Sequence, residues 1–238
     1  MSGWRRRTFE SPGLTQAPPG PYVAKLARRW SRTIYVTSPG YDNIGKVLRS
    51  MSVEFEPFKG AYGCDLLFAN CGSGDYLDPA SLQQFVRTGG CLYASDLTSD
   101  LLSRAFPGMF RFGGSGSAGK VAAKIVDAEL RSVIGHSTTV HFDMDAWAML
   151  DSCQGETLVK AAPGTAYAGR PLMVEVEFGK GAVFYTSFHN RAQASAQEKV
   201  LLQLLVLKQI STSSKTTLAK ASQSLGISLT ALKKRADG

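Results

Sequence analysis

Three side chains with catalytic potential each follow a predicted β-strand. Cys71 follows the apolar run DLLFAN, Asp96 follows CLYAS, and His189 lies two residues beyond AVFYTS. In open sheets of parallel strands, ligands bind at the carboxyl ends of the strands. A thiolate or carboxylate at that edge can act as a nucleophile, and an imidazole can act as a general base. The sequence therefore predicts Asp96, His189 and Cys71 as the catalytic residues, if the protein is an enzyme.

The same strand ends carry small and polar residues that are typical of ligand-binding loops. The candidate ligand-binding residues are Gly72, Ser73, Gly74, Ser95, Thr98 and Asn190. Asp75 and Asp100 lie nearby in the sequence and are further acidic candidates. An Asp and a His in one cleft can hold a metal ion, but two ligands are too few to predict one. We therefore expect no metal site and no cofactor.

Short apolar runs bounded by glycine alternate with amphipathic segments, which is typical of βαβ units. The predicted strands are Thr33–Thr37, Val53–Phe58, Asp65–Asn70, Cys91–Ser95, Ala122–Val126, Thr139–Phe142, Thr157–Ala162, Pro171–Glu177 and Ala182–Ser187. The predicted helices are Asn43–Met51, a segment around Leu82–Val86, Ser99–Phe106 and Ala194–Leu207. This order predicts the α/β class: a three-layer, flavodoxin-like sandwich with a mostly parallel central sheet and a β-rich portion at about 110–178.

A segment rich in glycine and serine interrupts this pattern at Phe112–Gly119 and is predicted to be a flexible loop. It contains most of GSGSAGK, which matches the spacing of a phosphate-binding loop, G-x-x-x-x-G-K. Val121 stands where such loops carry the Ser or Thr that binds magnesium. The residues that follow favour a strand where the motif requires a helix. The connector interpretation is therefore preferred to a nucleotide site.

The charge of the chain is concentrated at its two ends. The net charge is +8 over 238 residues, of which 44% are hydrophobic and 19% charged. Residues 1–32 carry +6, residues 33–207 carry −3 and residues 208–238 carry +5. The body is mildly acidic, so we expect any contact with nucleic acid or an acidic partner at the basic ends.

Cysteine usage and hydropathy indicate the compartment. The four cysteines, Cys64, Cys71, Cys91 and Cys153, lack the spacing of a zinc site. The chain shows no secretory signal and no apolar run of about 20 residues. We therefore expect free thiols, no membrane contact and a cytoplasmic location.

Three regions are predicted. Residues 1–32 form a basic arm with a short amphipathic helix at Tyr22–Trp30, residues 33–210 form the α/β domain, and residues 211–238 form a basic tail.

The tail contains a possible DNA-binding motif. Its segment Thr217–Arg235 resembles a helix-turn-helix pair, with the turn at Gly226–Ser228 and the reading helix at Leu229–Arg235. The candidate nucleic-acid-binding residues are Lys233, Lys234 and Arg235. Because two helices lack the third that normally completes such a core, a solvated basic tail is the preferred interpretation.

Three segments of the body resemble the class I glutamine amidotransferase-like superfamily, and within it the trehalose-utilisation (ThuA-like) branch. Asp65–Gly74 is similar to the third strand and glycine loop, Phe85–Leu102 to the nucleophile elbow and its helix, and Gly179–Asn190 to the last strand with its histidine. The resemblance extends from Thr33 to about Leu207. It implies an amidotransferase-like fold and places Asp96 where the family has its nucleophilic cysteine.

The departures from that family argue against its activity. A carboxylate at Asp96 does not form the thioester that glutamine hydrolysis needs, and Leu97 and Thr98 replace the small residues of the elbow. Cys71 lies at the correct edge, but nothing near it in the sequence supplies an orienting acid. The acid that follows the family histidine is absent here, since the next acidic residue is Glu198. The catalytic triad is therefore predicted to be degenerate.

Three functional hypotheses follow. The preferred one is a non-catalytic amidotransferase-like domain, or pseudoenzyme, that acts as a protein-interaction or scaffold module in the cytoplasm, with another protein or itself as partner. The second is a hydrolase-type enzyme with altered chemistry that uses Asp96 and His189 on a small polar substrate. The third is a DNA-associated protein that binds through its basic C-terminal tail.

Overall fold

The structure, a computed structural model, describes residues 32–238. The predicted N-terminal arm, with its helix at Tyr22–Trp30, lies outside the described residues apart from Arg32. The guanidinium of Arg32 lies 3.1 Å from the Asp65 carboxylate, which stands at the start of a central strand.

The described chain contains eleven strands and seven α-helices. The strands are β1 Ile34–Val36, β2 Glu56–Pro57, β3 Leu66–Ala69, β4 Cys91–Ser95, β5 Phe110–Gly116, β6 Gly119–Ile125, β7 Ser137–Phe142, β8 Trp147–Cys153, β9 Glu156–Ala161, β10 Pro171–Phe178 and β11 Gly181–Thr186. The helices are α1 Ile44–Ser50, α2 Pro79–Arg87, α3 Ser99–Ala105, α4 Ala128–Ile134, α5 Ala196–Ser213, α6 Leu218–Ser224 and α7 Leu229–Asp237. Short 3-10 helices lie at Gly74–Tyr76, Asp96–Thr98 and Asn190–Ala192.

Nine strands form one sheet in the order β2-β1-β3-β4-β11-β10-β9-β6-β7. Neighbouring strands are parallel from β2 to β11 and antiparallel from β11 to β7. Seven of the nine strands consequently point the same way, which confirms a mostly parallel α/β sheet. Strands β6, β7, β9 and β10 come from the predicted β-rich portion and extend this sheet.

Apolar residues on both faces of the sheet produce the three layers. Strands β3 and β4 are buried along their whole length, as expected for strands covered by helices on both sides. On one face Phe68, Tyr93 and Phe184 pack in a core with residues of α1, α4 and α5. On the other face Leu92 and Tyr185 pack in a second core with residues of α2 and α3. Alternate residues of one strand therefore serve opposite cores.

The prediction of a flexible loop at Phe112–Gly119 is wrong. Residues 110–116 form β5, which pairs with β8 in a separate two-stranded ribbon, and β6 begins at Gly119. The glycines are needed for packing, because a Cβ at Gly116 would collide with the Trp147 ring and one at Gly113 with the Asp151 carboxylate. The GSGSAGK segment therefore joins two strands and lacks the following helix of a phosphate-binding loop.

The prediction that the C-terminal residues form a solvated tail is also wrong. Helices α6 and α7 pack against α5, and α7 also packs against α4. Their apolar residues Leu218, Ala221 and Leu232 are buried in the main core. The long helix α5 supplies the third helix that the sequence pattern lacked, because both α6 and α7 pack against it.

Two further observations bear on the cellular setting. No helix among residues 32–238 is both long and apolar enough to cross a membrane. All four cysteines carry free thiols, with Cys71 and Cys91 buried.

Candidate functional site

The three predicted catalytic residues meet at the carboxyl edge of the sheet. Cys71, Asp96 and His189 follow β3, β4 and β11, which are neighbouring parallel strands. The Cys71 sulfur, an Asp96 carboxylate oxygen and a His189 ring nitrogen all lie within 4.8 Å of one another. The shortest of these approaches joins His189 Nε2 and Asp96 Oδ2 at 3.1 Å. The strand-end argument from the sequence therefore placed these side chains correctly.

Asp96 occupies a tight turn between β4 and α3. Its backbone has a φ of +42°, in the left-handed region that residues with a side chain rarely adopt. Tyr185 Oη donates a hydrogen bond to the Asp96 carbonyl at 3.1 Å, and the Ala148 N–H donates to Asp96 Oδ1 at 2.7 Å. The β5–β8 ribbon thus lies against the carboxylate. A strained strand–turn–helix position of this kind is where a nucleophile elbow presents its reactive side chain.

Asp143 completes a triad that sequence reasoning missed. Its Oδ1 lies 2.8 Å from His189 Nδ1, and its Oδ2 accepts a hydrogen bond from Arg191 Nε at 3.2 Å. The expectation that no acid orients the histidine is therefore wrong. Asp143 directly follows the predicted strand Thr139–Phe142, so the argument that selected Asp96 could also have selected it.

A crossing loop brings Asp143 to His189, although β7 and β11 are separated by three strands. After β11 the chain runs across the ends of the antiparallel strands to reach β7. There Gln193 accepts a hydrogen bond from the His141 N–H at 3.1 Å and donates one to the His141 carbonyl at 2.7 Å. The Gln193 side chain thus pairs with the His141 backbone as a neighbouring strand would, and this pairing fixes the loop that carries His189.

The imidazole of His189 is held as a cation between two carboxylates. Burial alone would lower the pKa of His189, but its contacts with Asp96, Cys71 and Asp143 outweigh burial and raise the pKa to about 11. Burial alone would raise the pKa of Asp143, but its hydrogen bonds and the His189 charge bring the pKa below its ordinary value. His189 thus lies between two carboxylates, with Nε2 facing Asp96 and Nδ1 facing Asp143.

Asp42 is a second residue that sequence reasoning missed. It is fully buried in the loop between β1 and α1. Its Oδ1 accepts hydrogen bonds from the backbone N–H groups of Asn43, Asn190 and Arg191, and its Oδ2 accepts one from Ser95 Oγ at 2.9 Å. Burial raises the pKa of Asp42, although the Ser95 hydrogen bond and the His189 charge act in the opposite direction. One carboxylate therefore joins the loops that follow β1, β4 and β11.

The predicted ligand-binding side chains make hydrogen bonds within the protein. Ser73 Oγ donates to the Asn70 carbonyl and Thr98 Oγ1 to the Ser95 carbonyl, while Asn190 Oδ1 accepts from the Asn43 N–H. The remaining predicted residues are Ser95, which bonds to Asp42, Gly72, which faces the Tyr41 ring, and Gly74, which begins a 3-10 helix. These residues hold the strand ends together.

The cluster is closed to solvent. Cys71, Asp96 and His189 are 0%, 1% and 2% exposed, respectively. Above them the edge of the sheet carries three large apolar side chains in solvent, Tyr41, Tyr76 and Leu97, with Tyr76 84% exposed. They lie in the loops that follow β1, β3 and β4, where an open enzyme site would have polar groups.

Cys71, Asp96 and His189 also have the donor types of a transition-metal site, and Asp143 stands where a carboxylate supports a metal-bound histidine. His189 Nε2 lies 3.1 Å from Asp96 Oδ2 and makes no hydrogen bond in the described structure, so it is the ring nitrogen that would bind such an ion.

The comparisons identify the fold. No family model matches the sequence, and no curated protein matches it. A protein from Thermoplasma acidophilum described as a putative GMP synthase component is similar over 72% of this chain and 91% of its own, with 12% identity and a TM-score of 0.53. This chain has that fold.

Two further structures share it. A cytoplasmic protein from Salmonella typhimurium matches over 74% of this chain and 98% of its own, with 12% identity and a TM-score of 0.50. A β-galactosidase from Bacillus circulans sp. alkalophilus matches over 87% of this chain, with 11% identity and a TM-score of 0.50. This chain spans only 34% of that enzyme. At 11–12% identity these likenesses concern the fold alone.

Replacing Asp42 by Asn tests the link between the strand-end loops. Asparagine has nearly the size of aspartate but carries one acceptor oxygen in place of two. The donors that face the replaced oxygen therefore lose their hydrogen-bond partner. We expect the free energy of unfolding to fall by about 3 kcal/mol, measured by urea denaturation. The exposed Asp100→Asn is the matched control and should be neutral. Equal stability of both variants would contradict the role given to Asp42.

Replacing His189 by Gln tests the buried ion pairs. The variant leaves two carboxylates without their cation, so at about pH 7 we expect it to be less stable by about 3–5 kcal/mol. The folded pKa is raised to about 11 from 6.5, so the stability from His189 is fully present below about pH 6.5 and is lost as the pH rises through about 11. The difference between the wild type and the variant should therefore shrink from about pH 7 to pH 10.

Urea denaturation at several pH values measures this difference. His136→Gln, at an exposed histidine, is the control and should show no such trend. A difference that stays constant from about pH 7 to pH 10 would show that His189 is neutral in the folded protein and would contradict this role.

Proposed function

We propose that this protein is a non-catalytic member of the glutamine amidotransferase-like superfamily, of its ThuA-like branch, and acts as a protein-interaction module in the cytoplasm. The observation that carries this proposal is the Asp96–His189–Asp143 arrangement, in which Asp96 and His189 are buried and each carboxylate contacts a ring nitrogen of His189. The similarity of the fold to amidotransferase-like structures supports the superfamily, and the segment Phe85–Leu102 supports the position of the elbow.

The engaged groups lack the freedom that catalysis requires. A general base must offer a lone pair near its operating pH, and the contacts of His189 with Asp96, Cys71 and Asp143 raise its pKa to about 11. A nucleophilic carboxylate needs a free oxygen, and the two oxygens of Asp96 contact the Ala148 N–H and His189 Nε2. Cys71 is fully buried beneath the same loops. The three candidates therefore stabilise the edge of the sheet.

The surface above the cluster supports a binding role. Tyr41, Tyr76 and Leu97 are exposed at three neighbouring strand ends, and aromatic residues are enriched at protein interfaces. Apolar groups collected at one edge of a domain mark a contact surface better than scattered ones do. We assign this edge, defined by Tyr41, Tyr76 and Leu97, as the docking edge. Its partner in the proposal is a second copy of the chain, since symmetric homo-oligomers are the commonest soluble assemblies.

A hydrolase-type enzyme is the second candidate. The left-handed backbone of Asp96 favours it, because strain at a strand–turn–helix junction clusters at active sites. An Asp–His–Asp set can in principle use Asp96 as the nucleophile and His189 to activate water, on a small polar substrate. This function requires the β5–β8 ribbon to move away, because the ribbon contacts Asp96 through Ala148.

Turnover assays separate the two candidates. Purified wild type, Asp96→Asn and His189→Gln are compared with L-glutamine, p-nitrophenyl acetate and p-nitrophenyl galactoside as substrates. We expect no rate in the wild type above that of the two variants, because the reactive groups are engaged and closed to solvent. A rate that both variants abolish, and that His136→Gln retains, would establish the enzyme and reject the proposal.

Sedimentation velocity at increasing protein concentration tests the docking edge. We expect a monomer–dimer equilibrium that Tyr76→Ser weakens by about tenfold, the effect of losing roughly 1.4 kcal/mol of contact energy. Val126→Ser is the matched control. Val126 is also an exposed large apolar residue, but it follows β6, which runs against the parallel strands and ends at the opposite edge. A monomer at all concentrations, or equal effects of both variants, would reject the docking edge as a self-association surface.

A further inference from the structure

The C-terminal helices α6 and α7 have the form of a helix-turn-helix unit. They are joined by the four residues Leu225–Ser228, a connection of the length and glycine content typical of this motif. Gly226 has a φ of +69°, and the Ile227 N–H donates to the Ser222 carbonyl at 2.8 Å, which closes the end of α6. Ser228 Oγ then accepts from the Ala231 N–H at 3.2 Å and caps α7. The turn therefore has a defined conformation.

The unit is anchored on the body through one side of each helix. Leu218 and Ala221 of α6 and Leu232 of α7 are buried, each 1–2% exposed. The Leu218 N–H donates to the Glu129 carboxylate at 2.9 Å, which fixes the start of α6 against α4. Lys233 and Arg235 extend from opposite flanks of α7, towards the Ser132 carbonyl of α4 and the Gln203 amide of α5. Helix α7 is thus held on three sides and free on the fourth.

The free side of α7 has the chemistry of a DNA-reading surface. Thr230, Ala231 and Lys234 are exposed there, between the flanking Lys233 and Arg235. Small and hydroxyl-bearing residues near the start of a helix allow close approach to base edges, and lysines further along suit phosphates. Asp237 is the one acidic residue of this helix.

A basic groove continues from α7 across the neighbouring elements. It has a volume of about 510 Å³ and is lined by four cations, Lys46 of α1, Arg191 of the crossing loop, Lys199 of α5 and Arg235 of α7. No acidic side chain is present among the described residues that line it. Because Arg191 is paired with Asp143, the net positive charge of the groove beside the reading helix comes from Lys46, Lys199 and Arg235.

We propose that α6 and α7 bind duplex DNA, with the exposed side of α7 in the major groove and the basic groove on the flanking phosphates. This binding goes beyond the interaction module proposed above and uses a different surface, because the docking edge lies at Tyr41, Tyr76 and Leu97. A recognition helix of this kind enters the major groove near its N-terminal end, which here carries Thr230 and Ala231.

Fluorescence anisotropy with the full-length protein and a labelled random-sequence duplex tests the proposal. The double variant Lys199→Gln/Lys234→Gln, which removes one cation of the groove and one of the free side of α7, should weaken binding about tenfold or more. It should also reduce the slope of log K against log salt concentration by about 2, because two phosphate contacts are lost. The matched control Lys59→Gln/Lys180→Gln removes the same charge from exposed sites outside α7 and the groove, and it should bind almost as the wild type does. Circular dichroism melting verifies that both variants are folded.

Selection from a pool of random duplexes tests the reading helix itself. We expect an enriched sequence for the wild type and loss of that enrichment in Ala231→Glu, whose carboxylate repels phosphates on the free side of α7. Equal weakening by the two double variants would show that net charge alone drives binding and would overturn the proposal. Binding without any enriched sequence, or equal binding to single-stranded RNA, would overturn it as well.

Discussion

The buried ion pairs of His189 with Asp96 and Asp143 determine how the carboxyl edge of the sheet is built. A buried charge is costly unless it is paired and hydrogen-bonded, so these three side chains can be enclosed only together. Asp96 is fixed by the β5–β8 ribbon, and Asp143 is reached only because the crossing loop passes over the antiparallel strands. The β5–β8 ribbon, through Asp96, and the crossing loop, which carries His189, are therefore both positioned by the contacts of the His189 ring.

Because the carboxyl edge of the sheet is closed, the exposed side chains there differ in character from those at the C-terminal helices. Ser187 Oγ, His189 Nε2 and Asn190 Nδ2 are buried at the strand ends without a hydrogen-bond partner, but other polar side chains there bond within the protein. Asp42 illustrates this, because its carboxylate uses its acceptors on loops from three strands. Outside, three large apolar side chains, Tyr41, Tyr76 and Leu97, are exposed at this edge, and basic side chains are exposed at the C-terminal helices.

The sequence predicted the parallel half of the sheet and the meeting of Cys71, Asp96 and His189, because strand ends in a parallel sheet lie at one edge. It did not predict the partnership of Asp143 with His189, which depends on a loop that crosses three strands and has no local signal. The glycines of β5 were misinterpreted for a related reason. In isolation they indicate a loop, but in the folded protein they make room for Trp147 and Asp151. Both cases depend on tertiary contacts that single-sequence patterns do not contain.

The position of β11 has a consequence for how the chain reaches its native state. This strand lies at the centre of the sheet, between β4 and β10, yet it is the last strand to be synthesised. Until residues 181–186 leave the ribosome, β4 has an unpaired edge that is apolar on both faces. Such an edge is a template for pairing with other chains, and long-range parallel pairing is slow. Folding of this sheet therefore waits until β11 is available, and chains that stall before β11 are exposed to aggregation.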